Sequence, residues 1–408
     1  MTFKAEQECP QCGASLEMDE EDHLLACPYC NTTSFLTAPD YFRFVLPPKH
    51  KDGDMVYIPY LRFRGGVYSC LETTIKYRIA DITHLAIPFT SLPPSLGLRP
   101  QALKMRFLST DTPGIFLKNT LNIEKALQTI PTYTADNETI FHEAHIGETV
   151  SIIYLPLVIK DGIIHDAITD DVLAKIPAGK DIFSKVRDDI KHWRLTSLAT
   201  LCPQCGWNMQ GASGSVALSC DNCQTVWEAS KQGFRQLSHE NYKPTQPGNL
   251  LFMPFWKMTA QSKGVEIRSY ADFIRVTNQP RVPLPAWEET AMQFWCPAFK
   301  IRPKIFLQLA SQLTGSQKNF RPDPSPDRKI SRYPVTLPKS EAVQSLKVIL
   351  ANSATSKKKI VPLLPDTNFL ITEIKLAYVP FIDQGYNLFQ SDSRANINKK
   401  VLHWAQNL

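Results

Sequence analysis

The stretch CPQCG, Cys9 to Gly13, returns unchanged at Cys202 to Gly206. Each copy opens a quartet of cysteines. Cys9, Cys12, Cys27 and Cys30 read C-x2-C-x14-C-x2-C, and Cys202, Cys205, Cys220 and Cys223 repeat that spacing without a residue of difference. Of the 10 cysteines, only Cys70 and Cys296 stand outside the two quartets.

Two CxxC pairs can present four thiolates tetrahedrally, the arrangement that zinc takes in structural sites. Pro10 and Pro203 stiffen the entry to each first knuckle. Gly13 and Gly206 can take positive φ, which turns backbone N–H groups toward the sulfurs. The second knuckles, CPYCN at 27–31 and CDNCQ at 220–224, lack that glycine and are expected to be less regular. Leu25 and Leu218, at the same offset in each copy, are expected to pack beneath the metal. Disulfides fit poorly with a chain whose first residues show no secretory signal. On these residues the chain resembles the zinc-ribbon family, over about residues 7–36 and 200–229. The resemblance implies a three-stranded β unit with one Zn2+ at each quartet, and a binding rather than a catalytic role. A CPxCG knuckle is also similar to the rubredoxin turn, which holds iron. Trp207 and Trp227 flank the second quartet, whereas the first has Tyr29 and Phe35, so two Zn2+ are expected and iron is the alternative.

The recurrence extends beyond the cysteines. GDMVYIPYLRF at 53–63 aligns without a gap on GNLLFMPFWKM at 248–258, placing Pro59 on Pro254, Tyr57 on Phe252 and Arg62 on Lys257. PSLGLRPQAL at 94–103 matches PAFKIRPKIF at 297–306, YLPLVIKDG at 154–162 matches YVPFIDQG at 378–385, and the His192-Trp193 pair returns as His403-Trp404. Ordered matches with changing loop lengths are the signature of tandem duplication. The chain therefore reads as β-rich α+β with an internal tandem duplication, each copy a four-cysteine zinc ribbon followed by a mostly antiparallel β domain with few short helices. The expected divisions are ribbon 1 at 1–38, β-rich domain 1 at 39–197, ribbon 2 at 198–230 and β-rich domain 2 at 231–408.

The 408 residues include 31 prolines against 17 glycines, which favours short strands and stiff turns over long helices. A proline inside MVYIPYLRF or VSIIYLPLVI implies an edge strand or a bulge. Asp161-Gly162 predicts a type I′ hairpin. Helices are expected at 122–130, 304–313 and 340–351, the last with Ser340 as its N-cap. Residues 318–334 read as an extended loop.

Candidate chemistry outside the quartets is sparse. HEAHIGE at 142–148 holds two histidines that a helix would bring toward one metal, but it lacks the HExxH order and reads as a solvated loop or helix end. Arg99 and Arg302 recur in the matched Arg-Pro element and are expected to tie a turn to backbone carbonyls. Cys70 and Cys296 read as small buried residues. No nucleophile elbow, P-loop or dinucleotide fingerprint is present, so no enzyme is expected.

Residues 1–200 carry a net charge of −5 and residues 201–408 one of +11, and six of the seven tryptophans lie in the second half. Trp256, Trp287 and Trp295 are the candidate interface. With no apolar segment of membrane-spanning length and no leader, the expectation is a cytoplasmic, non-catalytic accessory or scaffold subunit. It would dock with an unidentified protein complex and reach a membrane only through a partner. The whole is similar to cytoplasmic accessory subunits of membrane redox complexes of sulfate-reducing bacteria, which implies a docking role. The alternatives are nucleic-acid binding through basic clusters such as Lys357 to Lys359, not favoured because the first ribbon's spacer is acidic, and a rubredoxin-like electron carrier.

Overall fold

The computed structural model describes residues 3–49, 54–121, 138–175, 187–188, 190–230, 233–324 and 330–405. The chain is strand-rich. Its described strands form one 10-stranded sheet, one 6-stranded sheet and two 3-stranded sheets beside the cysteine quartets. The helix expected at 122–130 lies outside the described residues.

Each half is built on two long antiparallel strands. Asp54–Leu71 pairs with Ile140–Lys160 in the first half, and Leu250–Lys263 pairs with Asn368–Asp383 in the second. The register is the same in both. Pro59 faces Tyr154 and Tyr57 faces Pro156, as Pro254 faces Tyr378 and Phe252 faces Pro380. Both ladders then break after corresponding pairs, Arg64 with Thr149 and Thr259 with Glu373. The outer strands correspond too. A short parallel strand runs beside each second long strand, Phe42–Val45 in one half and His239–Asn241 in the other. Each long strand then turns into an antiparallel hairpin, Ile163–Asp166 and Asn387–Gln390. The first of these turns at Asp161 and Gly162, both at positive φ (49° and 71°), as a type I′ turn requires.

The prolines sit in interior strands, at neither the edges nor the bulges expected. Pro59 and Pro254 lie where the long strand changes neighbour on one side. Before it, Tyr57 accepts from Leu117 N–H and Phe252 from Tyr333 N–H; at it, the Pro59 and Pro254 carbonyls accept from Ala86 and Ala298 N–H. The missing N–H faces that changeover, so no ladder bond is lost. The matched cations Arg62 and Lys257 are buried in both halves, and each is paired with carboxylates: Arg62 with Glu20 at 2.9 Å and with Asp81, Lys257 with Glu240.

The expected helix at 304–313 is Pro303–Gly315. The one expected at 340–351 is two, Lys339–Gln344 and Leu346–Ser353, and the N-cap position of the first is Pro338, not Ser340. Buried Ser345 divides them, its hydroxyl donating to the Ala342 carbonyl at 2.6 Å. A helix that was not expected, Tyr270–Val276, starts at a capping box between Ser269 and Asp272. Part of the expected extended loop is instead laid along the second sheet: Phe252 N–H donates to the Ser331 carbonyl and Tyr333 N–H to the Phe252 carbonyl, both at 2.9 Å.

The halves share a core. Strands Asp54–Leu71, Ile75–Leu85 and Ile140–Lys160 reach across to pack on the second-half helices, and Tyr68, Cys70, Ile75, Ala144 and Ile146 join the second-half hydrophobic cluster. The carboxylate of Glu341, on Lys339–Gln344, accepts hydrogen bonds from the Gly147 and Glu148 N–H groups at the first-half strand break. Lys300 reaches back to Glu21 (3.0 Å) and Thr149 (2.6 Å). The divisions expected near 38 and 198 are also crossed by pairing. Lys4–Glu8 runs beside Met105–Phe107, and Thr196–Ala199 pairs with Thr33–Thr37.

Candidate metal centres

All four knuckles close on the same turn. Cys9 N–H donates to Ala14, Cys27 N–H to Thr32, Cys202 N–H to Trp207 and Cys220 N–H to Thr225, each at 2.8 or 2.9 Å. The residue after the second cysteine of each pair is left-handed throughout: Gly13 at φ 75°, Asn31 at 55°, Gly206 at 73° and Gln224 at 59°. The second knuckles are therefore as regular as the first, despite lacking glycine.

The turns bring each quartet together. Its four sulfurs lie within 4.8 Å of one another. Cys9 to Cys30 and Cys12 to Cys27 are 3.7 Å apart, Cys202 to Cys223 is 3.6 Å and Cys205 to Cys220 is 3.4 Å. Zn–S bonds of about 2.3 Å in a tetrahedron place sulfurs about 3.8 Å apart, so both donor sets fit one ion each. Leu25 and Leu218 are buried beneath them, as expected.

The electrostatics favour a cation. The backbone N–H groups of Cys12 and Gln11 bring the Cys9 thiol down to about 6. At Cys202, burial opposes ionisation, but the N–H groups of Gln204 and Cys205 and the Thr225 hydroxyl outweigh it and bring the thiol to about 6. The opposite member of that quartet, Cys220, is pushed up to about 12, first by burial. Four crowded thiols cannot all ionise until a cation sits among them.

A residue type not anticipated completes each centre. Thr32 Oγ1 lies 3.0 Å from Cys30 Sγ, and Thr225 Oγ1 lies 3.0 Å from Cys223 Sγ. Thr225 Oγ1 accepts from Trp227 Nε1 at 2.8 Å, which leaves its own hydrogen for the sulfur. Such outer hydrogen bonds orient metal ligands and tune their charge. The signal was legible: a threonine stands two residues after the last cysteine in both quartets.

The other candidates fall elsewhere. Trp256 and Trp295 are core side chains, 2% and 1% exposed, and Trp256 donates to the Leu337 carbonyl. Neither is available at a surface, and Trp287 is half-buried against Tyr270 at 5.0 Å. The HEAH segment is part of strand Ile140–Lys160, neither loop nor helix end. Three residues apart on a strand, His142 and His145 face opposite sides and cannot share an ion. Arg99 does bind a turn carbonyl, Leu96 at 3.1 Å, and also pairs with fully buried Asp166 at 2.6 Å. Burial pushes the Cys70 and Cys296 thiols up to about 12.

The chain matches no family model, no curated protein and no solved structure. Among the described residues, no helix is long and apolar enough to cross a membrane.

Proposed function

We propose that both quartets hold structural Zn2+ and that the chain is a non-catalytic, cytoplasmic accessory subunit docking in a larger assembly. The observation that carries the metal reading is the closed donor set: four thiols from one chain, spaced for one tetrahedral ion, leave no open position for substrate. Zinc accounts for such a site without redox chemistry, and its binding free energy of about 10–16 kcal/mol would go largely into folding.

The shared register of the two long strand pairs supports a tandem duplication, with each cysteine unit inherited as part of the module. A duplicated scaffold presenting two differently charged halves suits a bridge between partners. With Trp256 and Trp295 buried, the docking surface moves to the knuckles, where Tyr29 is 73% exposed, Trp207 58% and Leu201 51%. Exposed aromatics of this kind anchor protein interfaces.

The test is affinity purification from the native host, with nuclease and mild detergent, read by mass spectrometry and metal analysis. Two equivalents of zinc and stoichiometric recovery of one complex are expected. A protein that emerges alone, or loses its partners to nuclease, overturns the docking reading. A red, reducible product overturns zinc.

A further inference from the structure

We infer that the two cysteine quartets form a single cooperative metal-binding unit, in which loading either site strengthens ion binding at the other. This rests on the reading of both quartets as metal centres.

Five observations place the units in one block. Strand Thr33–Thr37, which leaves the first quartet, pairs antiparallel over four positions with Thr196–Ala199, which leads into the second. The Thr200 hydroxyl, two residues before Cys202, donates to the Thr33 carbonyl at 3.1 Å. From the other direction, the Ser213 carbonyl, within the second unit's spacer, accepts from His23 N–H at 2.8 Å and Leu24 N–H at 2.9 Å. Gly211 is held so closely that a Cβ there would meet Leu218 of its own unit at 2.6 Å and Leu24 of the other at 3.1 Å.

The fifth is the core itself. Phe35, five residues past Cys30, does not belong to the first unit's hydrophobic cluster. It lies 3% exposed in the cluster that contains Cys202, Met209, Leu218, Cys220 and Trp227, and it meets Phe234 edge-on at 5.9 Å. The second quartet thus borrows a core side chain and a strand neighbour from the first. In turn, Leu24, whose strand neighbour Leu25 lies in the core of the first quartet, packs against the second unit's cluster.

The physical consequence follows from linkage. An empty quartet has no means of holding its two knuckles together, because metal binding and folding of such a unit are one equilibrium. If the first quartet empties, strand Thr33–Thr37 and Phe35 lose their anchor, and the second site loses part of its core. Coupling between sites is reciprocal, so loading either must favour the other by the same factor. Shared packing of this extent corresponds to a change of about 10-fold in affinity, within the usual range of such couplings.

The experiment is zinc titration of the full-length chain against a chromophoric chelator. Three further proteins are compared. Cys12→Ser/Cys30→Ser removes the first site and Cys205→Ser/Cys223→Ser the second, in each case through its less buried thiols. Phe35→Ala keeps all eight ligands. If the sites are coupled by about 10-fold, the wild-type isotherm reaches half-saturation at about 3-fold lower free zinc (the square root of the coupling factor) and rises more steeply than the sum of the two single-site isotherms, and Phe35→Ala moves it back toward that sum. A wild-type isotherm that coincides with the sum overturns the coupling while leaving two metal sites in place. A wild-type chain that takes up no zinc overturns the metal reading and this inference with it.

Discussion

At the scale of the residue, the knuckles show what chemistry each position tolerates. Gly206 sits at φ 73° with nothing within 4 Å of the place a Cβ would occupy, so space is no obstacle to a larger residue. The cost of Gly206→Ala is backbone conformation alone, about 1 kcal/mol, and appears as a lower Tm of the metal-loaded protein. Gln224 occupies the corresponding turn at φ 59° with a side chain that has to accept it. Gln224→Gly is expected to raise stability, by less than about 1 kcal/mol because glycine also gains freedom in the unfolded chain. A fall in Tm would show that the Gln224 amide's bond to the Asp221 carbonyl (2.7 Å) matters more than the φ preference. The two candidate donor sets were readable from spacing because a tetrahedral site fixes both the residue type and its separation. The left-handed Gln224 was not, since the turn imposes φ there against the residue's own preference, whereas Asn31, a residue that tolerates this region, was a signal the missing glycine obscured.

At the scale of the element, the long paired strands set what the sheet can accept. Gly65 lies at the first-half ladder break, and a Cβ there would come within 2.9 Å of the Glu148 backbone on the facing strand. Gly65→Ala therefore forces two strands apart and should cost about 1–3 kcal/mol, read by chemical denaturation. A loss below about 0.5 kcal/mol would mean the break flexes to accommodate it. The strands were legible, because hydrophobic β-branched runs identified them, but their pairing with one another was not; the structure places the repeated Tyr-x-Pro and Pro-aromatic patterns at identical register positions in the two ladders. What misled was local reasoning about proline and histidine. A proline looks forbidden in an interior strand until its silent side is seen to face a change of neighbour. HEAH looks like a loop or helix end because its polar residues carry no clear strand period, yet 17 residue pairs with Asp54–Leu71 override that. The helix break at Ser345 is likewise tertiary, set by burial and by a hydroxyl bonding back to Ala342.

At the scale of the whole molecule, the contact between halves carries a titratable group. Glu341 is pushed up to about 7, first by burial and then by the neighbouring Glu148 carboxylate, against the pull of Lys300 and of the Glu148 and Gly147 N–H groups. In the unfolded chain it titrates near its ordinary 4.5. Between those values the folded chain keeps a proton that the unfolded chain has released. Stability from this group is therefore complete below 4.5 and is lost as pH rises through 7. Glu341→Gln removes the dependence, so the variant should gain on the wild type between pH 5 and pH 8 in thermal melts. A difference that stays constant over that range would assign the contact's energetics to packing instead. None of this was visible in the sequence, where residues 148 and 341 lie in different halves of the chain and nothing in either stretch announces the other.

The strands that the first half extends over the second-half helices also bear on how the chain is made. Residues such as Tyr68, Cys70 and Ile146 leave the ribosome well before Phe306, Leu346 and Ile349, the later members of their shared core, have been synthesised. At about 5–20 residues per second, the first half waits on the order of 10–40 s with an apolar face and a two-sided strand uncovered. Nascent chains of this protein should consequently be strong chaperone clients at midlength, and a silent codon change that slows translation between the halves should lower yield without altering a single residue.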